Sequence, residues 1–208
     1  MSALPRQTSR AVNDRLLTNW RALMQYAAIG IRCLVGLVFL ASALSKLAST
    51  RAQTAFVMSM RDLRILPTGL VRWVASGVII GELAVCVLLA TPSASAVMMG
   101  FALTVVLLSV FTAGITIALR RGVRVPCRCF GASRTPLGRW HIGRNAVLVL
   151  ITCVGALVTP GAADAQPAGV ATAAAAGVAL GALVTVLDDV RALFRPLAAP
   201  PGNTLGGR

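Results

Sequence analysis

Apolar residues run along this chain in long blocks separated by short polar segments. A helix of about 20 apolar residues is long enough to cross the ~30 Å hydrocarbon layer of a bilayer. Four blocks meet that length or come close to it: Tyr26 to Leu47, Leu70 to Ala90, Ala94 to Leu119 and Ile142 to Val158. A fifth, Ala168 to Leu187, is richer in Ala and Gly, yet long and uncharged enough to be a span. Turn formers sit where the blocks end, as Thr91-Pro92-Ser93, as Thr159-Pro160-Gly161 and in the loop from Asp164 to Pro167. The pattern predicts an all-α fold, a polytopic transmembrane helical bundle of four core spans plus a fifth, over residues 25–190.

The flanking segments read differently. In residues 1–24, Val12, Leu16, Leu17, Trp20, Leu23 and Met24 recur at helical spacing with Arg15 and Arg21 among them. That pattern fits a short amphipathic helix lying at the interface with Trp20 as anchor, or an ordinary solvated lead-in. The segment has no apolar core followed by a cleavage site, so the first span is expected to direct insertion itself. Between the first two spans lie Lys46, Arg51, Arg61, Asp62, Arg64 and Arg72, with Pro67 as a helix breaker. Within that stretch Ala55 to Met60 is apolar enough for a surface helix. Residues 191–208 are Pro/Gly-rich and read as a flexible tail.

Composition supports the membrane reading. Of 208 residues, 57% are hydrophobic and 12% charged, about half the charge of an ordinary soluble domain. Twenty Lys and Arg against six Asp and Glu give a net charge of +14. On a soluble chain such an excess would point to nucleic acid. Here the cations fall between apolar runs, at the level of lipid head groups, so membrane lipid accounts for them and no nucleic acid is needed. Orientation is contested by the charges themselves. The two long loops between spans carry most of the cations and would face the cytoplasm by the positive-inside rule. Arg6, Arg10, Arg15 and Arg21 make the same claim for the N-terminal segment on the other side.

The unusual chemistry lies between the third and fourth spans, in Pro126-Cys127-Arg128-Cys129-Phe130-Gly131. Two cysteines one residue apart can exchange disulfides, ligate a soft metal, or sit as an inert or structural pair. Position at the membrane edge, with Arg121, Arg124, Arg128 and Arg134 nearby, favours a thiolate and hence exchange, so Cys127 and Cys129 are the candidate redox pair. His141, the single histidine, would complete only three ligands at a spacing that matches no standard zinc site, so no metal site is assigned. Cys33, Cys86 and Cys153 fall within spans and read as small buried apolar residues, although one packed near the loop could resolve a disulfide.

Charges inside spans are costly and call for partners. Arg32 and Glu82 have roughly matching depths if the first two spans are antiparallel neighbours, which predicts an Arg32–Glu82 ion pair. Lys46 closes the loop end of the first span and can reach inward, and Arg144 and Asn145 open the fourth span. These five residues form a candidate intramembrane polar pocket. It could hold a quinone head group, guide protons, or lock helices together. No other cofactor is indicated.

The run Cys127-Arg128-Cys129-Phe130-Gly131, followed by Trp140 and Arg144-Asn145, resembles the MauE family within the DoxX-like group of small membrane proteins. Arg32, Gly36, Phe39 and Ala41-Ser42-Ala43-Leu44-Ser45-Lys46-Leu47 add to the match, as do Pro67 and Glu82. The resemblance covers about residues 26–158; Arg128 stands where a smaller residue is expected. It implies a cell-membrane, multi-pass accessory protein of methylamine utilisation, helping to mature the disulfide-rich small subunit of methylamine dehydrogenase beside a thioredoxin-like exported partner. It implies a Cys-x-Cys thiol–disulfide relay with the Cys127 loop outside and the N-terminus inside. A DoxX-like quinone-linked oxidoreductase subunit and a non-catalytic membrane scaffold are the alternatives.

Overall fold

The computed structural model describes residues 4–122, 138–159 and 166–193. Every regular element among them is a helix: α1 (Leu4–Leu47), α2 (Thr50–Asp62), α3 (Val71–Ala90), α4 (Ala94–Arg120), α5 (Arg139–Leu157) and α6 (Pro167–Leu193). Five of these, all but α2, contain stretches long and apolar enough to cross a membrane. The bundle expected from the apolar blocks is therefore present, with ends close to those read from the sequence. Thr91 and Ser93 bracket the turn between α3 and α4, both in extended backbone. α5 begins at Arg139, a turn ahead of the apolar block, and α6 continues past its own block to Leu193.

The N-terminal segment departs from expectation. It is helical, but it is the first part of α1, a single helix of 44 residues, and not a separate interfacial element. At 1.5 Å per residue α1 is about 66 Å long, twice the thickness of the hydrocarbon layer. Leu16, Leu17, Trp20 and Leu23 are all exposed along it.

α1 and α3 are antiparallel neighbours, and three contacts fix their register. Ser42 meets Glu82, Gly36 meets Cys86, and Arg32 meets Leu89 and Thr91. Counting five residues on from Ser42 and five back from Glu82 sets Leu47 level with Gly77. The start of α3 therefore runs about 9 Å beyond the end of α1. α2 fills that step, packed on both helices. Ser49 caps α2, its hydroxyl accepting from the Ala52 amide at 3.1 Å, and Phe56 points inward, 1% exposed.

The core lies among α1, α3, α4 and α5. Leu34, Val35, Val38 and Phe39 of α1 meet Val85 and Leu89 of α3, Val97, Phe101 and Leu108 of α4, and Leu148 of α5. α6 stands apart and packs on α1 alone among the described helices. It does so through small residues one turn apart: Gly169 lies against Tyr26, Ala173 and Gly177 against Gly30, and Gly181 against Leu34 and Leu37. Both series ascend together, so α6 runs parallel to α1. Close approach of backbones through such a stripe is how an Ala/Gly-rich helix gains packing in lipid, where water does not drive association.

Candidate functional site

The sealed polar centre of the bundle is an ion pair between α1 and α3. Lys46 Nζ lies 2.8 Å from Glu82 Oε1 and 3.0 Å from Oε2. Its third partner is the Ser42 hydroxyl at 2.7 Å, one helical turn back. That hydroxyl in turn donates to Glu82 Oε1 at 2.9 Å. The Ser42 carbonyl also accepts from Nζ at 3.3 Å, and the ring centroid of Phe56 from α2 lies 5.1 Å from the ammonium, a cation–π contact. The Lys46 and Glu82 side chains are 1% and 0% exposed. A carboxylate and an ammonium so removed from water hold each other in place, because either alone would face a large desolvation penalty.

The partner of Glu82 is thus Lys46, and the expected Arg32–Glu82 pair is not formed. The register explains why. Arg32 is level with the end of α3, about nine residues or ~14 Å above Glu82. There its Nε donates to the Leu89 carbonyl and its Nη2 to the Thr91 carbonyl at 2.6 Å. Those are the carbonyls that a helix leaves unpaired at its C-terminus, and a guanidinium is well suited to them. The depth estimate from sequence assumed flush helix ends; the step filled by α2 removes that assumption.

Arg144 and Asn145 of α5 lie elsewhere again, Asn145 on the face turned to α4. Asn145 Nδ2 donates to the Thr112 hydroxyl at 3.3 Å, and the guanidinium nitrogens of Arg144 are buried. Of the five proposed polar residues, the structure brings Lys46 and Glu82 together and leaves Arg32, Arg144 and Asn145 in other contacts. Two contributors were missed in the sequence, Ser42 and Phe56. The spacing of Ser42 and Lys46, four apart on one helix face, was the available signal for the first. Nothing local marks Phe56.

Cys127 and Cys129 lie outside the described residues. Their anchorage does not. Counting seven residues toward the loop from Thr112 and from Asn145 reaches Leu119 and Gly138, so α4 and α5 deliver the two ends of the loop side by side. Leu63, Ile115, Ala118, Leu119 and Ile142 pack together there, and Arg121 Nη1 donates to the Arg64 carbonyl at 3.1 Å. The loop therefore leaves the bundle on the α2 side. The other three cysteines are free thiols. Cys153 is exposed, not a buried core residue as expected, and Cys33 and Cys86 are only partly covered. Each is 14 or 15 residues, about 21 Å, along its helix from the end nearest the loop, which places all three far from the role of a resolving thiol.

The family model described as Methylamine utilisation protein MauE matches residues 24–158, from the middle of α1 to the end of α5. Comparison with curated proteins and with solved structures gave no match.

Proposed function

The chain belongs to the MauE family, and from that premise we propose that it is an accessory protein acting through a Cys127–Cys129 thiol–disulfide relay. It is a multi-pass membrane protein of a family linked to methylamine utilisation. The proposed task is disulfide formation in an exported client of the methylamine dehydrogenase small-subunit type. One observation supports the relay above the rest: the Cys-x-Cys loop falls inside the matched stretch and leaves the bundle beside an arginine-rich surface, where a thiolate is favoured.

The electron balance is simple. A client thiolate attacks one sulfur of the Cys127–Cys129 disulfide and displaces the other as a thiolate. A second client thiolate then resolves the mixed disulfide, leaving the client oxidised and the pair as two thiols. The pair next attacks the disulfide of a thioredoxin-fold partner, passes on the two electrons and is re-formed. The protein is in this reading a carrier and not a free-standing enzyme. The loop faces the outside, because disulfides persist there.

Labelling of intact cells with a membrane-impermeant thiol reagent, before and after reduction, tests both parts. The expected result is labelling of Cys127 and Cys129 only after reduction. A pair that stays reduced and inaccessible from outside removes the relay. So does unchanged client oxidation in cells carrying Cys127→Ser and Cys129→Ser.

A further inference from the structure

A cavity of about 340 Å³ opens among α2, α3 and α4 on the side of the bundle where the cysteine loop leaves. Phe56 forms part of its wall, with Met60 and Leu66 from α2 and the segment after it, Val78 from α3, and Val110 and Gly114 from α4. The lining is almost wholly apolar. Among the described residues that line it, the one hydroxyl, that of Ser59, donates to the Phe56 carbonyl at 2.8 Å. A quinone ring would need donors for its carbonyls, and among the described lining residues no side chain offers one unengaged; a hydrocarbon chain needs none.

The segments that bound the cavity carry a strong charge imbalance. Arg61, Arg64, Arg72, Arg120 and Arg121 are all exposed on them, against Asp62. The Arg121–Arg64 hydrogen bond ties the end of α4 to the turn after α2, so arginines of both elements are held at one edge. Arg64 itself has a φ of 51°, a left-handed conformation that glycine adopts more readily than any L-residue.

We propose that this cavity and its arginine rim form a site for one anionic phospholipid, with an acyl chain in the apolar slot and the phosphate on the arginines. Clusters of Lys and Arg at the membrane surface attract anionic lipid head groups. The site is independent of the relay reading, since it uses neither cysteine.

The test is thermal unfolding of the full chain purified in a neutral detergent. Phosphatidylglycerol, phosphatidylcholine with the same chains, soluble glycerol phosphate and a long-chain quinone are added separately. Phosphatidylglycerol is expected to raise Tm by about 4 °C or more beyond phosphatidylcholine, and glycerol phosphate to leave it unchanged. Gly114→Leu puts a side chain into the slot, where a Cβ meets nothing within 4 Å. It is expected to keep the lipid-free Tm and lose the phosphatidylglycerol response. Val78→Phe fills the slot from the opposite wall and serves if the first variant folds poorly. Arg64→Gly relieves the left-handed residue, so with Arg61→Gln it is expected to leave lipid-free Tm level or higher while weakening the response. Equal responses to the two lipids, or a full phosphatidylglycerol response in both slot-filled variants, would overturn the site. A quinone response larger than that of phosphatidylglycerol and lost with Gly114→Leu would assign the cavity to a different occupant.

Discussion

Lys46 and Glu82 lie 36 residues apart in sequence and hold a two-oxygen contact of 2.8 and 3.0 Å inside the bundle. Breaking a buried pair by removing one partner costs about 3–5 kcal/mol, whereas replacing both by apolar residues is often neutral. Lys46→Met and Glu82→Met are each expected to lower stability by about that amount. The double variant is expected to recover most of it. A detergent-stability cycle over the four proteins measures the coupling, and a double variant as poor as the sum of the two singles would show that the contact is not energetically used.

Arg32 and Glu82 should behave as strangers. Arg32→Gln removes the donors to the Leu89 and Thr91 carbonyls, and is expected to cost about 1–3 kcal/mol. Groups this far apart, with no shared partner, add within about 0.5 kcal/mol. The same cycle run on Arg32→Gln and Glu82→Gln is expected to show no coupling beyond that. A larger coupling would restore the pairing first read from depth alone.

The docking of α6 is tightest at Gly177. A Cβ on Gly177 would fall on the Gly30 carbonyl, which is backbone and cannot turn aside. Gly177→Ala is therefore expected to push the helices apart and cost about 1–3 kcal/mol, seen as a lower Tm and faster proteolysis of α6. Gly36 offers the contrast, since its added Cβ would meet nothing within 4 Å. Gly36→Ala is expected to be neutral or to gain up to ~1 kcal/mol from helix propensity. Equal effects at the two positions would mean that the crossing is not close.

These cases also show how far the sequence could be read. The spans were legible because each is set by local composition, a length of apolar chain that only lipid can accept. The breakers at Pro92 and Pro160 fixed their ends. The polar centre was half legible: Glu82 and Lys46 announced themselves as charges in apolar surroundings, but their pairing depends on how far α3 slides past α1. That slide leaves the step that α2 fills; the sequence marks Ala55 to Met60 as a surface helix but not the inward turn of Phe56. Arg32 was misplaced for the same reason. The interface of α6 was hidden in a different way, because Gly169, Gly177 and Gly181 look like weak helix formers until a second backbone lies against them.

The last prediction separates the five cysteines. Cys33, Cys86 and Cys153 sit about 21 Å along their helices from the loop side, and thiol exchange requires direct contact between sulfurs. Replacing all three by Ala is expected to leave client oxidation unchanged. In the wild-type chain Cys153, exposed on the outer face of a span, is expected to react with a lipid-soluble maleimide and to resist an impermeant one. The proposed pair in the loop should show the reverse preference once reduced. If the triple Ala variant loses client oxidation while keeping its Tm, one of these three thiols must reach the loop. The register fixed by Ser42, Gly36 and Arg32 would then describe only one state of the bundle. If oxidation persists, the three intramembrane thiols are dispensable, and Cys127 and Cys129 are the cysteines of this chain left to carry the exchange.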